Sequence, residues 1–231
     1  MKAIKIASAA TLLLAATAFA TDGTVLKPVF KKDAVSKMRI KGKLSIQGME
    51  VEVTMVNQSK VVEIAEDGTA TLEDGMLEGK VNFGGQEMDI PASPTTKIVM
   101  KPNGEIKEIR GDNVDGGVYR VQNLMGFVPP TEGVKVGSKW VRNVPADTNT
   151  GAEAMKGEYE ITGEEKIGDT DVFVINFKNS ETAGSDPASM SGTFWISKAD
   201  ASLVKGTTKW LNVPMPGAPQ AISGDFTFEK I

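Results

Sequence analysis

Met38-Arg39-Ile40-Lys41-Gly42-Lys43-Leu44-Ser45-Ile46-Gln47 alternates without a break: every even position is apolar or glycine and every odd position is polar. Successive side chains of a strand point to opposite faces, so a period of two sets one face against a core and the other in water. The stretch therefore reads as a half-buried antiparallel strand. Gly48 permits a tight turn, and the returning chain keeps the alternation, with Val51, Val53 and Met55 set against Glu52 and Thr54.

The pattern spreads outward from this hairpin. Glu66-Asp67-Gly68 and Glu73-Asp74-Gly75 read as turns that bracket a short strand at 69–72. Gly84-Gly85 separates strands at 80–83 and 88–90, and Lys101-Pro102-Asn103-Gly104 separates 98–100 from 106–109. Strands follow at 140–144, 157–162, 172–177, 192–196, 203–210 and 224–228, with Gly168-Asp169 as a further hairpin turn. The stretches 145–155 and 179–189 are polar and rich in Ala, Thr, Asp and Gly, and read as surface loops. The proline-rich run 214–219 reads as an extended connector. Helix signals are confined to 118–125, closed by Gly126 and Pro129-Pro130. The expected fold is mainly β: ten or more strands in one strongly curved antiparallel sheet, an open or half β-barrel with little helix.

Ser36-Lys37-Met38 resembles Ser138-Lys139-Trp140, and the turn before 69–72 resembles the turn before 172–175, at a nearly constant offset. The domain expectation is a single β-rich domain over 21–231, with pseudo-repeats at 24–111 and 134–231 joined by 112–133.

Lys2 and Lys5 precede an apolar run with Leu12, Leu13 and Leu14, and Ala18-Phe19-Ala20 supplies the small residues of a cleavage site. This order is that of a secretory signal over 1–20, cleaved near Ala20, which implies an exported protein, periplasmic or secreted. The chain has no cysteine, so it forms no disulfide and carries no lipid-bearing thiol. No later stretch is apolar for long enough to span a bilayer, so no transmembrane anchor is expected. Aromatics make up only 6% of the chain, which argues against the aromatic girdles of a transmembrane barrel. The formal charge is −4 before Lys2 and Lys5 leave with the signal. So acidic a body offers no attraction to nucleic acid.

Histidine is absent along with cysteine, which removes serine–histidine and cysteine–histidine catalysis and nearly all zinc chemistry. Ser202 and Lys205 have the spacing of a serine–lysine pair, but on a strand that spacing sends them to opposite faces. The carboxylate pairs Glu164 with Glu165, Asp169 with Asp171 and Glu63 with Glu66 lie in or beside turns, where acids bond local backbone. Asp147-Thr148-Asn149-Thr150-Gly151 opens like a calcium loop and then departs from the ligand series. No catalytic residue, no cofactor, no metal ligand and no enzymatic activity are expected.

The stretches Val134-Lys135-Val136-Gly137-Ser138-Lys139-Trp140, Tyr159-Glu160-Ile161-Thr162-Gly163-Glu164-Glu165 and Ser191-Gly192-Thr193-Phe194 carry a resemblance. With Lys101-Pro102-Asn103-Gly104 and Ile109-Arg110-Gly111, they resemble a bacterial family of exported β-rich proteins of unknown function. More distantly the chain resembles the periplasmic lipid and lipoprotein carriers, whose curved sheet forms a half-barrel over an apolar cavity. The resemblance implies architecture and assigns no catalytic role.

The apolar row of the opening hairpin supplies the candidate ligand-lining residues Met38, Ile40, Leu44, Val53 and Met55. Methionine suits an adaptable apolar lining. The expected partner is a lipid or another apolar small molecule bound in the concave sheet. The competing expectation is a structural or protein-interaction module of the cell envelope, with a packed core, another envelope protein as partner and no small ligand. A cavity of several hundred Å³ separates the two.

Overall fold

The alternating stretch forms β1 (Val35–Ile46), which pairs with β2 (Met49–Ile64) so that Ile40 stands opposite Met55 and Leu44 opposite Val51. The computed structural model describes residues 23–46, 49–112, 114–215 and 220–231. The signal segment, its cleavage site, the Gly48 turn and residues 216–219 of the proline-rich run lie outside the described residues. The first half continues as β3 (Ala70–Phe83), β4 (Gln86–Ile90), β5 (Thr96–Met100) and β6 (Ile106–Arg110). After α1 (Gly116–Met125) come β7 (Lys139–Val144), β8 (Met155–Ile167) and β9 (Thr170–Glu181). The chain ends with β10 (Ser189–Ser197), β11 (Leu203–Val213) and β12 (Ile222–Lys230).

All twelve strands belong to one antiparallel sheet, in the order β6-β5-β3-β2-β1-β12-β11-β10-β9-β8-β7, with β4 paired to β3 off this path. The first and last strands meet in the middle, Ile40 opposite Phe228 and Gly42 opposite Phe226. The sheet is not closed into a barrel. It is nevertheless curled. Asp74 on β3 and Trp210 on β11 are four strands apart in the order and still line one cavity. In a flat sheet that separation would be about 19 Å, at about 4.8 Å per strand.

The Gly84-Gly85 turn is present, with φ of 58° and 86° that only glycine adopts freely. Two other expectations are corrected. Glu73-Asp74-Gly75 is no turn but the middle of β3, because both flanks offer ladder partners. Glu73 registers with Lys60 and Lys97, and Asp74 with Ser59 and Thr96. The expected loop at 179–189 begins later, since β9 runs through Glu181 and β10 starts at Ser189. Asn179 and Glu181 look like loop residues only until their partners are known.

Those partners sit on α1. The helix starts at Asp115, whose carboxylate accepts from the Val118 N–H at 3.1 Å. It lies over β8, β9 and β10 and buries Leu124, 1% exposed. The last carbonyls of a helix have no intrahelical donor. Here Asn179 Nδ2, fully buried, donates to the Leu124 carbonyl at 2.6 Å. Arg142 Nη1 donates to Gly126 O at 3.1 Å and Asn123 O at 3.3 Å, and the Tyr159 hydroxyl donates to Gly126 O at 3.3 Å. Room for Asn179 depends on Gly157, where a Cβ would stand 2.5 Å from Asn179 Oδ1. On the next turn, Arg120 Nε and Nη2 donate to the two carboxylate oxygens of Glu181 at 2.6 and 2.7 Å. The Ala188 N–H donates to the same carboxylate at 2.7 Å.

The helix also closes the seam between the edge strands. Its Tyr119 hydroxyl accepts from the Ile109 N–H at 3.0 Å and donates to the Ile109 carbonyl at 3.3 Å, as a strand partner would for β6. On the other side Arg142, from edge strand β7, holds its C-terminus. Beneath the helix an aromatic series crosses the sheet, Phe127, Trp140, Tyr159, Phe177 and Phe194, with successive centroids 6.1, 5.1, 6.5 and 3.9 Å apart. The second half of the concave face is thereby filled.

Arg120→Ala should lower the unfolding free energy by about 3 kcal/mol, because Glu181 stays buried without its charge partner. Arg120→Met combined with Glu181→Gln should lose distinctly less, since the amide that replaces the carboxylate is neutral and still accepts from the Ala188 N–H. Urea midpoints of the two variants give the comparison.

Candidate functional site

Because α1 packs chiefly on β8–β10, the concave face of the first half has no lid of its own. A cavity of about 480 Å³ remains there. β1 and β2 contribute Met38, Ile40 and Met55, and β3 and β5 contribute Met76 and Ile98. The facing wall is Trp210 of β11 with Phe226 and Phe228 of β12, and α1 closes one side with Val121 and Met125. Met215 completes a set of five methionines around the space. Their unbranched thioether chains adapt to irregular apolar shapes. Gly42 shapes the floor: a Cβ there would lie 2.5 Å from the Phe226 ring, so the missing side chain lets the ring lie flat on β1.

Three of the candidate residues read from the sequence, Met38, Ile40 and Met55, border this cavity. Leu44 and Val53 share their face but stand farther along the strands, outside its walls. Leu44 is buried opposite Val51 and Gly224, and Val53 packs on the core opposite Gly42 and Val81.

The polar bank was missed. Ser59, Asp74 and Thr96 stand in one register row across β2, β3 and β5, and Asn57 follows opposite Met76. All four line the cavity, with Ser36 and Ser93 at its border. Among the described lining residues Asp74 is the one charged side chain. Its triplet reads as a turn, which conceals it. The signal that could have found it is the row Ala70, Leu72, Asp74, Met76, where period two sets an acid among apolar neighbours. Burial alone pushes its carboxyl from 3.8 up to about 6, with no neighbouring cation to offset it.

The other sequence motifs stay apart from the cavity. Glu164 pairs with Lys198 at 2.6 Å, and Glu165 accepts from Trp195 Nε1 at 2.9 Å. The Ser202 hydroxyl donates to Asp200 at 2.8 Å, while Lys205 Nζ lies over the Trp195 ring, 4.8 Å from its centroid. Asp147 accepts from the Asn149 N–H at 2.9 Å and so folds its own turn. Two further depressions, about 440 Å³ beside β7–β9 and about 270 Å³ beside β2–β4, have charges among their walls. The first carries Lys139, Glu158, Glu160 and Lys178, and the second Glu78, Lys80 and Asp89. The concave cavity has the most apolar side chains in its walls of the three.

No family model matches the chain, and no curated protein matches it. Among solved structures it is similar to lipovitellin, in a structure concerned with lipid–protein interactions, at 9% identity and a TM-score of 0.43. That likeness covers 88% of this chain and 25% of the other, so the chain spans a quarter of the lipovitellin chain. It is also similar to the hypothetical lipoprotein YmcC from Escherichia coli, at 15% identity and a TM-score of 0.34, over 87% of this chain and 89% of that one. A DUF1329 family protein from Desulfovibrio piger follows at 10% identity and a TM-score of 0.21, over 85% and 83% of the two chains. Likenesses this weak carry no functional argument. Among the described residues no helix is long and apolar enough to cross a membrane.

The position of Asp74 sets a pH dependence. The folded state holds its proton more tightly than the unfolded chain, so ionisation opposes folding. That penalty is absent below pH 3.8, grows as pH rises, and is complete above about 6. Asp74→Asn should therefore stabilise the unliganded protein at pH 8 by about 2 kcal/mol, allowing for the carboxyl's partial contact with water. The gain should vanish at pH 3.5. Urea unfolding at the two pH values checks the sign.

Proposed function

We propose that the chain is an exported, non-enzymatic binding protein that holds a lipid or another largely apolar small molecule in the concave cavity. The observation that carries this reading is the half-filled concave face. The same curled sheet is packed solid under α1 and left open, with apolar walls, over the first half. A volume of about 480 Å³ falls within the range of small-molecule sites, about 300–1,000 Å³. A packed interaction module has no use for such a space, since unfilled apolar volume forfeits contact energy. The secretory pattern of residues 1–20 supports action beyond the inner membrane.

N-phenyl-1-naphthylamine, a neutral apolar dye, provides the test. The protein should enhance its fluorescence with a Kd in the micromolar range. Met55→Phe with Met76→Phe should weaken binding about tenfold or more by filling the space, while Leu211→Ala on the exposed surface should leave it unchanged. A wild-type protein that gives no enhancement, or a filled variant that binds as well, refutes the reading.

A further inference from the structure

The cavity is lopsided in its polarity. Asp74 stands between Ser59 and Thr96 on one bank, and Met38, Ile40, Trp210 and Phe228 face the same space from the other walls. Apart from Lys230 of β12, the remaining charges of the neighbouring strands are turned away from it. Lys60, Glu73 and Lys97 share the adjacent register row, so they alternate to the opposite face, where Lys97 Nζ lies 3.6 Å from Glu73. From β1 the groups presented are Ser36 and Met38, and from α1 they are Val121, Gln122 and Met125. Arg120 is spent on Glu181, and Lys230, opposite Met38 on β12, borders an adjoining depression that shares Ser36 and Ser59 with the cavity and also holds Asp200. Asp74 is thus an acid without a protein cation.

The occupant has to answer that. A plain hydrocarbon would leave the carboxylate desolvated and unpaired. An anionic head would place a second negative charge beside it. An ammonium head would pair with the carboxylate through a charge-assisted hydrogen bond, while Ser59, Thr96 and Asn57 offer oxygens for its other protons. We propose that the cavity selects a cationic amphiphile: a single apolar chain carrying a primary amine that pairs with Asp74. The inference rests on the apolar-cavity reading and names the chemical class of its ligand.

Dodecylamine, dodecanol and dodecanoate, each below its micellar concentration, separate the possibilities when they displace the naphthylamine dye. At pH 8 dodecylamine should bind about tenfold or more tightly than dodecanol, and dodecanoate should bind more weakly than either. In Asp74→Asn the amine-to-alcohol ratio should fall to within about twofold. In the wild type the same ratio should shrink several-fold between pH 8 and pH 5, as Asp74 takes up its proton. Dodecanol that binds with no preference for the amine, or a preference that survives Asp74→Asn, overturns this inference and leaves the cavity reading standing. Failure of all three compounds to displace a bound dye, or failure of the dye itself to bind, removes both.

Discussion

Helix α1 lies against the sheet because its last carbonyls and its Arg120 find polar partners there. Its terminal carbonyls face β7, β8 and β9, and each of those strands supplies one donor: Arg142, Tyr159 and Asn179. Arg120 and Glu181 tie the preceding turn to the end of β9, and Tyr119 bonds the backbone of β6. Buried polar groups that are paired hold one geometry, and each one left unpaired costs stability. This polar clamp fixes α1 over the second half of the concave face and across the gap between the edge strands. The open cavity over the first half is a consequence of where the clamp is placed.

The two halves of the concave face show what that placement does. Under the helix, Trp140, Tyr159, Phe177 and Phe194 stack into a rigid floor. Beyond it, Met38, Met55 and Met76 line the facing strands, and the helix adds Met125 from its outer side. Aromatic rings with few torsions suit a permanent contact, and flexible thioethers suit a space whose contents change. The same helix thus seals one core and serves as one wall of the other.

The strand pattern was legible because period two leaves little choice: Met38 to Leu44 has one face that can be buried, and its hairpin with β2 follows, whereas its pairing with β12 at the far end of the chain was not. The turns at Gly68, Gly84-Gly85 and Gly104 were legible for a similar reason, since each requires a positive φ. What stayed hidden were polar residues whose meaning depends on distant partners. Asn179 and Glu181 have loop-like composition, and only α1, far away in sequence, makes them strand residues facing inward. Asp74 was concealed in the same way, by a triplet whose local preference is a turn and whose two neighbouring strands override it. Of the five candidate lining residues, period two could choose the face but not how far the cavity extends along it, so Leu44 and Val53 fell beyond its end.

The concave face is filled on one side of α1 and open on the other. Methyl NMR of protein labelled at the methionine ε-carbons, titrated with dodecanol, tests it directly. The signals of Met38, Met55, Met76 and Met125, on the cavity wall, should shift together and saturate at one concentration. Those of Met155 and Met190, buried in the packed core, and of the exposed Met49 and Met88 should stay in place. Shifts confined to the exposed methionines, or no saturable shift at these four of the five cavity methionines, would mean the concave face holds no ligand there.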